Sequence, residues 1–265
     1  MNPVWGDYAN QSGSTLLLAA IFYTIQIYGD FSGYSDMAIG TAKLLGFRFR
    51  DNFLFPYFSR NVAEFWRRWH ISLNTWFVDY VYVPLGGSRN GKWITIRNTF
   101  VIFLLSGLWH GANWTYVAWG LYHALLFVPL ILWGAKRYDH AVAHGHILPS
   151  WRELLNMVLT FALVNMGWIL FRAPDFGAFS TFMSRLFSPS LFSFHGLTMP
   201  MLRMLIWCAV LLVAEWIQRE SSHVLQIDGY RLLSARPARL ALYAVIALLI
   251  FGFAGKVQTF IYFQF

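Results

Sequence analysis

Apolar positions along this chain fall in long blocks separated by short polar stretches. The first block, residues 14–46, is interrupted at Tyr28-Gly29-Asp30-Phe31-Ser32-Gly33-Tyr34-Ser35-Asp36. It exceeds the about 20 residues that cross a hydrocarbon layer roughly 30 Å thick, so it predicts two short helices meeting at a polar, glycine-bearing break. Residues 94–109 and 114–134 predict a pair of spans joined at His110-Gly111-Ala112-Asn113, and further spans are expected over 151–171, 201–218 and 238–255. Residues 47–93 differ. Arg48, Arg50, Arg60, Arg67, Arg68, Arg89 and Lys92 are opposed there only by Asp51, Glu64 and Asp79. That amphipathic, Trp-rich pattern is too polar to span and predicts short helices in the cytoplasmic interface, aromatic rings dipping inward and arginines reaching out. The expected architecture is all-α: one polytopic transmembrane domain over 1–265 with an interfacial segment at 47–93.

Composition narrows the class. Hydrophobic residues make up 57% of 265 positions and charged ones 12%, about half the roughly 25% charge of soluble domains. Such a chain cannot wet a globular surface. The net charge of +8 therefore reads as basic loops facing anionic lipid, with no nucleic acid as partner. Loop 135–152 carries Lys136, Arg137 and Arg152, and loop 219–239 carries Arg219, Arg231, Arg236 and Arg239, whereas 172–200 has only Arg172 and Arg185. Basic loops inside and a poorer one outside satisfy the positive-inside rule. With Cys208 as the single cysteine, no internal disulfide can form. Residues 1–13 lack the charged and apolar regions of a signal peptide.

Candidate chemistry begins at Gly86-Gly87-Ser88-Arg89-Asn90-Gly91-Lys92-Trp93, which matches a phosphate-binding P-loop for seven places and then sets Trp93 where a magnesium-binding hydroxyl belongs. The following residues form a membrane helix, so nucleotide hydrolysis is rejected. Arg89, Lys92 and the glycine amides still suit lipid or cofactor phosphates. His70 closes Phe65-Trp66-Arg67-Arg68-Trp69-His70, and His110 closes Ser106-Gly107-Leu108-Trp109-His110. Imidazole titrates near neutrality, so either histidine could take a proton from a hydroxyl and return it; hydrogen-bonded packing is the competing reading. His123 reads as packing. His140, His144 and His146 lack a fourth ligand, and no metal is expected. Asp30 and Asp36 either face a site or satisfy backbone groups at a hinge.

The strings F-W-R-R-W-H-I-S-L-N-T-W-F at 65–77, Y-V-P-L-G-G-S-R at 82–89 and S-G-L-W-H-G-A-N-W at 106–114 closely resemble the membrane-bound O-acyltransferase family, and within it the alginate O-acetyltransferase branch. D-F-S-G-Y-S-D-M-A-I-G at 30–40 and F-I-Y-F-Q-F at 260–265 are similar to that branch too. The resemblance implies a partial family fold in the bacterial inner membrane, with N-terminal spans missing from a chain about half the usual length. It implies transfer of an acetyl group onto hydroxyls of an exported polysaccharide or its relay protein, with periplasmic acetylation partners. It also implies His110 as the essential residue and His70 as a second. No bound cofactor is implied; acetyl-CoA or another acyl thioester is the donor, and Arg67, Arg68, Arg89 and Lys92 could attract its phosphates, with Asp30, Asp36 and Asn113 further binding candidates. D-alanyl transfer to teichoic acid, and a transport path without chemistry, are the rival readings.

Overall fold

The computed structural model describes residues 2–134, 136–193, 198–221 and 235–252. Its helices are α1 (Asn2–Gly6), α2 (Gly13–Leu44), α3 (Val62–Arg68), α4 (Ile71–Phe77), α5 (Lys92–His110), α6 (Trp114–Trp133), α7 (Trp151–Arg172), α8 (Phe176–Leu186), α9 (Met199–Gln218) and α10 (Arg236–Gly252). No strand occurs among the described residues, and the architecture is all-α. By length and composition, α2, α6, α7 and α9 can each cross a membrane. The chain is a multi-pass membrane protein. The expected helix α5 forms but is not among these four. Its first turns carry Lys92, Thr95, Arg97, Asn98 and Thr99, and they clamp the preceding glycine turn. Arg97 and Asn98 both donate to the Leu85 carbonyl (3.0 and 3.2 Å).

The break expected at 28–36 is absent. Ser12 caps α2 by accepting from the Thr15 amide at 3.3 Å, and the helix then runs unbroken for 32 residues. Its buried face, including Leu16, Ala20, Tyr23, Ile27, Tyr28, Phe31 and Ser35, recurs every three or four positions straight through the polar stretch. A glycine inside a helix costs about 1 kcal/mol relative to alanine. Packing of Tyr28 on Phe53 and Tyr57, and of Phe31 on Phe53, offsets it. At 1.5 Å per residue α2 is about 48 Å long, which exceeds the hydrocarbon thickness and lets its polar end leave the lipid. Asp30 and Asp36 are exposed on this helix.

The segment 47–93 forms the expected short helices, but its centre is core rather than surface. Val62, Phe65, Trp66 and Trp69 are buried against Trp119, Val164 and Trp168. Arg60 does not reach outward: it is 7% exposed, pairs with Glu64 at 2.9 Å and Glu153 at 3.1 Å, and sits over the Tyr138 ring. Arg68 also pairs with Glu64, at 2.9 Å. Two cations and two acids thus neutralise each other where α3 meets α7. Glu64→Ala leaves both arginines short of an acid; loss of one partner of a buried pair costs about 3–5 kcal/mol. The expected result is a marked drop in the thermal midpoint of the detergent-solubilised protein.

Two further differences concern the later blocks. Loop 172–200 contains α8, capped by Asp175, which accepts from the Ala178 amide at 2.7 Å. Phe182 and Leu186 on α8 are buried with Leu16 and Ala20 of α2. In α9, Glu215 is buried and accepts a short hydrogen bond from the Tyr28 hydroxyl, tying α9 to α2. Residues 253–255 of the last expected span, the 260–265 motif and Arg231 lie outside the described residues.

Candidate active site

His70 sits between α3 and α4 in a left-handed conformation, φ 43° and ψ 55°. This region is unfavourable for side chains with a Cβ, by about 1–2 kcal/mol, so neighbouring bonds must hold it. Asn74 supplies them: its amide side chain donates to the carbonyls of Trp66 and Trp69, and its backbone N–H donates to the His70 carbonyl at 3.0 Å. The kink turns the imidazole onto Phe31, centroids 4.6 Å apart.

His110 is the last residue of α5. Gly111 follows at φ 149°, a conformation that favours glycine. Asn113 then caps α6, accepting from the Thr115 amide at 3.0 Å and donating to the Pro174 carbonyl at 2.9 Å. The α5–α6 hairpin is close because glycines face backbone. A Cβ on Gly107 would lie 2.3 Å from the Tyr116 carbonyl oxygen, and one on Gly120 2.2 Å from that of Phe103. This approach seats His110 against Trp119 and Phe171, 5.2 and 5.0 Å between centroids.

Both imidazoles line one narrow cavity of about 10 Å³, with Trp66, Trp69, Asn74, Ser106, Trp119 and Trp168. That volume is room for about a single water. The Trp109 ring packs on both histidines, 6.3 Å from His70 and 5.0 Å from His110 between centroids. His123 is buried against Trp66 and Trp119 outside that cavity lining, its Nδ1 accepting from the Trp66 indole at 3.2 Å and its Nε2 without a partner among the described residues. A neutral imidazole accepts a proton, and a cavity walled by indoles keeps water from competing for it. Burial pushes the His70 imidazole down from 6.5 to about 4. An unfolded chain therefore takes that proton first, so His70 removes stability as pH falls from 6.5 towards 4 and is without effect above 6.5. Between pH 7.5 and 5 the His70→Gln protein should lose less thermal stability than the unaltered one.

The other sequence candidates lie elsewhere. Arg68 is engaged with Glu64 and with the Leu54 carbonyl, Asn113 is a cap, and Asp30 and Asp36 do not line the cavity. Lys92 donates to the Leu132 carbonyl at 2.7 Å, and Arg89 is exposed on the glycine turn. Arg67 borders a second, apolar cavity of about 400 Å³ that it shares with Thr95, Thr99, Tyr82 and Phe127. Trp66 and Asn74 line both cavities. Sequence reasoning missed Asn74, Trp119 and Trp168 as cavity residues. With 13 tryptophans in the chain, nothing in the pattern separates these indoles from membrane-interface ones.

An all-α, multi-pass membrane protein with two partly buried imidazoles in one indole-walled cavity is the class that fold and site define. The chain belongs to the membrane-bound O-acyltransferase family, whose model matches residues 7–166. It is 48% identical over 174 residues to the probable alginate O-acetylase AlgI of Pseudomonas syringae pv. tomato, covering 66% of this chain and 30% of the relative. It is 30% identical over 270 residues to the peptidoglycan O-acetyltransferase of Helicobacter pylori, covering 94% of this chain and 49% of that one. A teichoic acid D-alanyltransferase of Bacillus subtilis matches at 35% over 60% of this chain and 42% of its own length. The chain thus spans between about a third and a half of these relatives.

Proposed function

We propose that the protein is an O-acetyltransferase of the bacterial inner membrane. It moves acetyl from a cytoplasmic thioester, acetyl-CoA, to hydroxyls of an exported polysaccharide of the alginate kind or to its periplasmic relay protein. The observation that carries the reading is the convergence of His70 and His110, forty residues apart in sequence, on one cavity. His110 is the general base: it takes the proton of the acceptor hydroxyl as oxygen attacks the thioester carbon, and returns it to the leaving thiolate. His70, kept neutral by burial, polarises or positions the same groups. The apolar cavity that adjoins the site at Trp66 and Asn74 offers the donor a route, with Arg67 at its border for phosphate; Arg89 and Lys92 add positive charge on the turn nearby.

One observation favours a second acceptor. The match to the peptidoglycan O-acetyltransferase runs through 94% of this chain, so peptidoglycan hydroxyls are the alternative target. Membranes containing the protein are to be supplied with labelled acetyl-CoA or with a D-alanyl carrier protein, and label followed into exported polysaccharide, peptidoglycan and teichoic acid. Acetyl label in polysaccharide is the expected result. Label only in peptidoglycan replaces the acceptor, and transfer of D-alanine alone overturns the acetyl assignment.

A further inference from the structure

Three of the four indoles that line the histidine cavity end differently. Trp66 donates its N–H to His123. Trp119 and Trp168 are each 1% exposed, line the same cavity, and have no acceptor for Nε1 among the described residues. Their rings are nearly parallel, 24° apart with centroids separated by 6.0 Å, and Trp119 lies edge to face with His110 at 5.2 Å. A buried donor left unmet costs folding free energy. Indole nitrogen only donates, so the partner this arrangement lacks is a hydrogen-bond acceptor. Both indoles line the cavity that holds His110, and Trp119 touches its ring.

We infer that the N–H groups of Trp119 and Trp168 hold the acyl carbonyl oxygen and stabilise the negative charge it gains during transfer. The inference rests on the acyltransfer reading above. As the hydroxyl oxygen bonds to the thioester carbon, its proton passes to His110 and the carbonyl π pair moves onto oxygen, where the two indoles receive it. When the pair returns, the carbon–sulfur bond breaks and the thiolate leaves with the proton from His110. Donors already fixed by stacking need no reorganisation at that moment, and this is where such groups act most strongly. The same two positions set a wall around a small acyl group.

The test replaces Trp119 or Trp168 with 3-benzothienylalanine, which keeps the bicyclic shape and exchanges N–H for sulfur, alongside Trp119→Phe and Trp168→Phe. Turnover of labelled acetyl-CoA is measured in membranes at equal amounts of folded protein. Loss of one oxyanion donor typically lowers kcat by about 10² to 10³, and that fall with unchanged KM for each isostere is the expected result. Full turnover in both isosteres would overturn the assignment and leave the N–H groups to an ordered water. Failure of the isosteres to fold would overturn it too, since the N–H would then be structural. If the unaltered protein uses a D-alanyl carrier instead of acetyl-CoA, the acetyl reading fails, while the same variants are scored on that thioester and the indole assignment stands or falls separately.

Discussion

His110→Ala is expected to lower acyl transfer by at least about 10² to 10⁴, the usual contribution of a positioned general base, with the amount of protein in the membrane unchanged. The side chain ends α5 and packs edge-on against Trp119 and Phe171, while the hairpin beneath it is held by glycine contacts that do not involve the imidazole. Removing it therefore takes away chemistry and leaves the scaffold. His110→Gln, which fills the space and cannot take the proton, should be as inactive as alanine. The measurement is label transfer from acetyl-CoA per folded molecule; a His110→Ala protein working at the unaltered rate would remove the proposed mechanism.

Gly120→Ala should have the opposite profile, a structural failure that carries activity with it. An added methyl would stand 2.2 Å from the Phe103 carbonyl oxygen, a backbone atom that cannot swing aside. The two helices must then separate, and overpacking of this kind costs about 1–3 kcal/mol or more. Gly107→Ala meets the Tyr116 carbonyl in the same way. Both variants are expected to show reduced folded yield and a lower thermal midpoint in detergent, and in both His110 moves away from the His70 side of the cavity. A Gly120→Ala protein with unchanged melting would show that the α5–α6 approach is looser than the geometry implies.

Much of the helix order was legible because the bilayer imposes it. A span needs a continuous apolar run, and runs near 114–134, 151–171 and 201–218 became α6, α7 and α9. The α5–α6 joint was legible from His110-Gly111-Ala112-Asn113, where a glycine and a capping Asn punctuate the pattern. α8 was missed, although Asp175 followed by apolar residues at 176, 179, 182, 183 and 186 carries the cap and the period of a helix. At 28–36, glycines and acids suggested a break; local propensity lost to aromatic packing supplied by residues far along the chain, Phe53 and Tyr57. Arg60 reads as a surface cation until Glu153 of α7 is brought beside it.

By itself, the sequence determined an all-α membrane protein and singled out two histidines, since hydropathy and short motifs are properties of neighbouring residues. Only the tertiary structure decided that those histidines share a cavity, that Asp30 and Asp36 stand outside it, and that two indoles lining it keep N–H groups without an acceptor among the described residues. The physical reason is that imidazole and indole acquire their roles from what surrounds them. Desolvation and a missing hydrogen-bond partner exist only once α3, α5, α6 and α7 have packed.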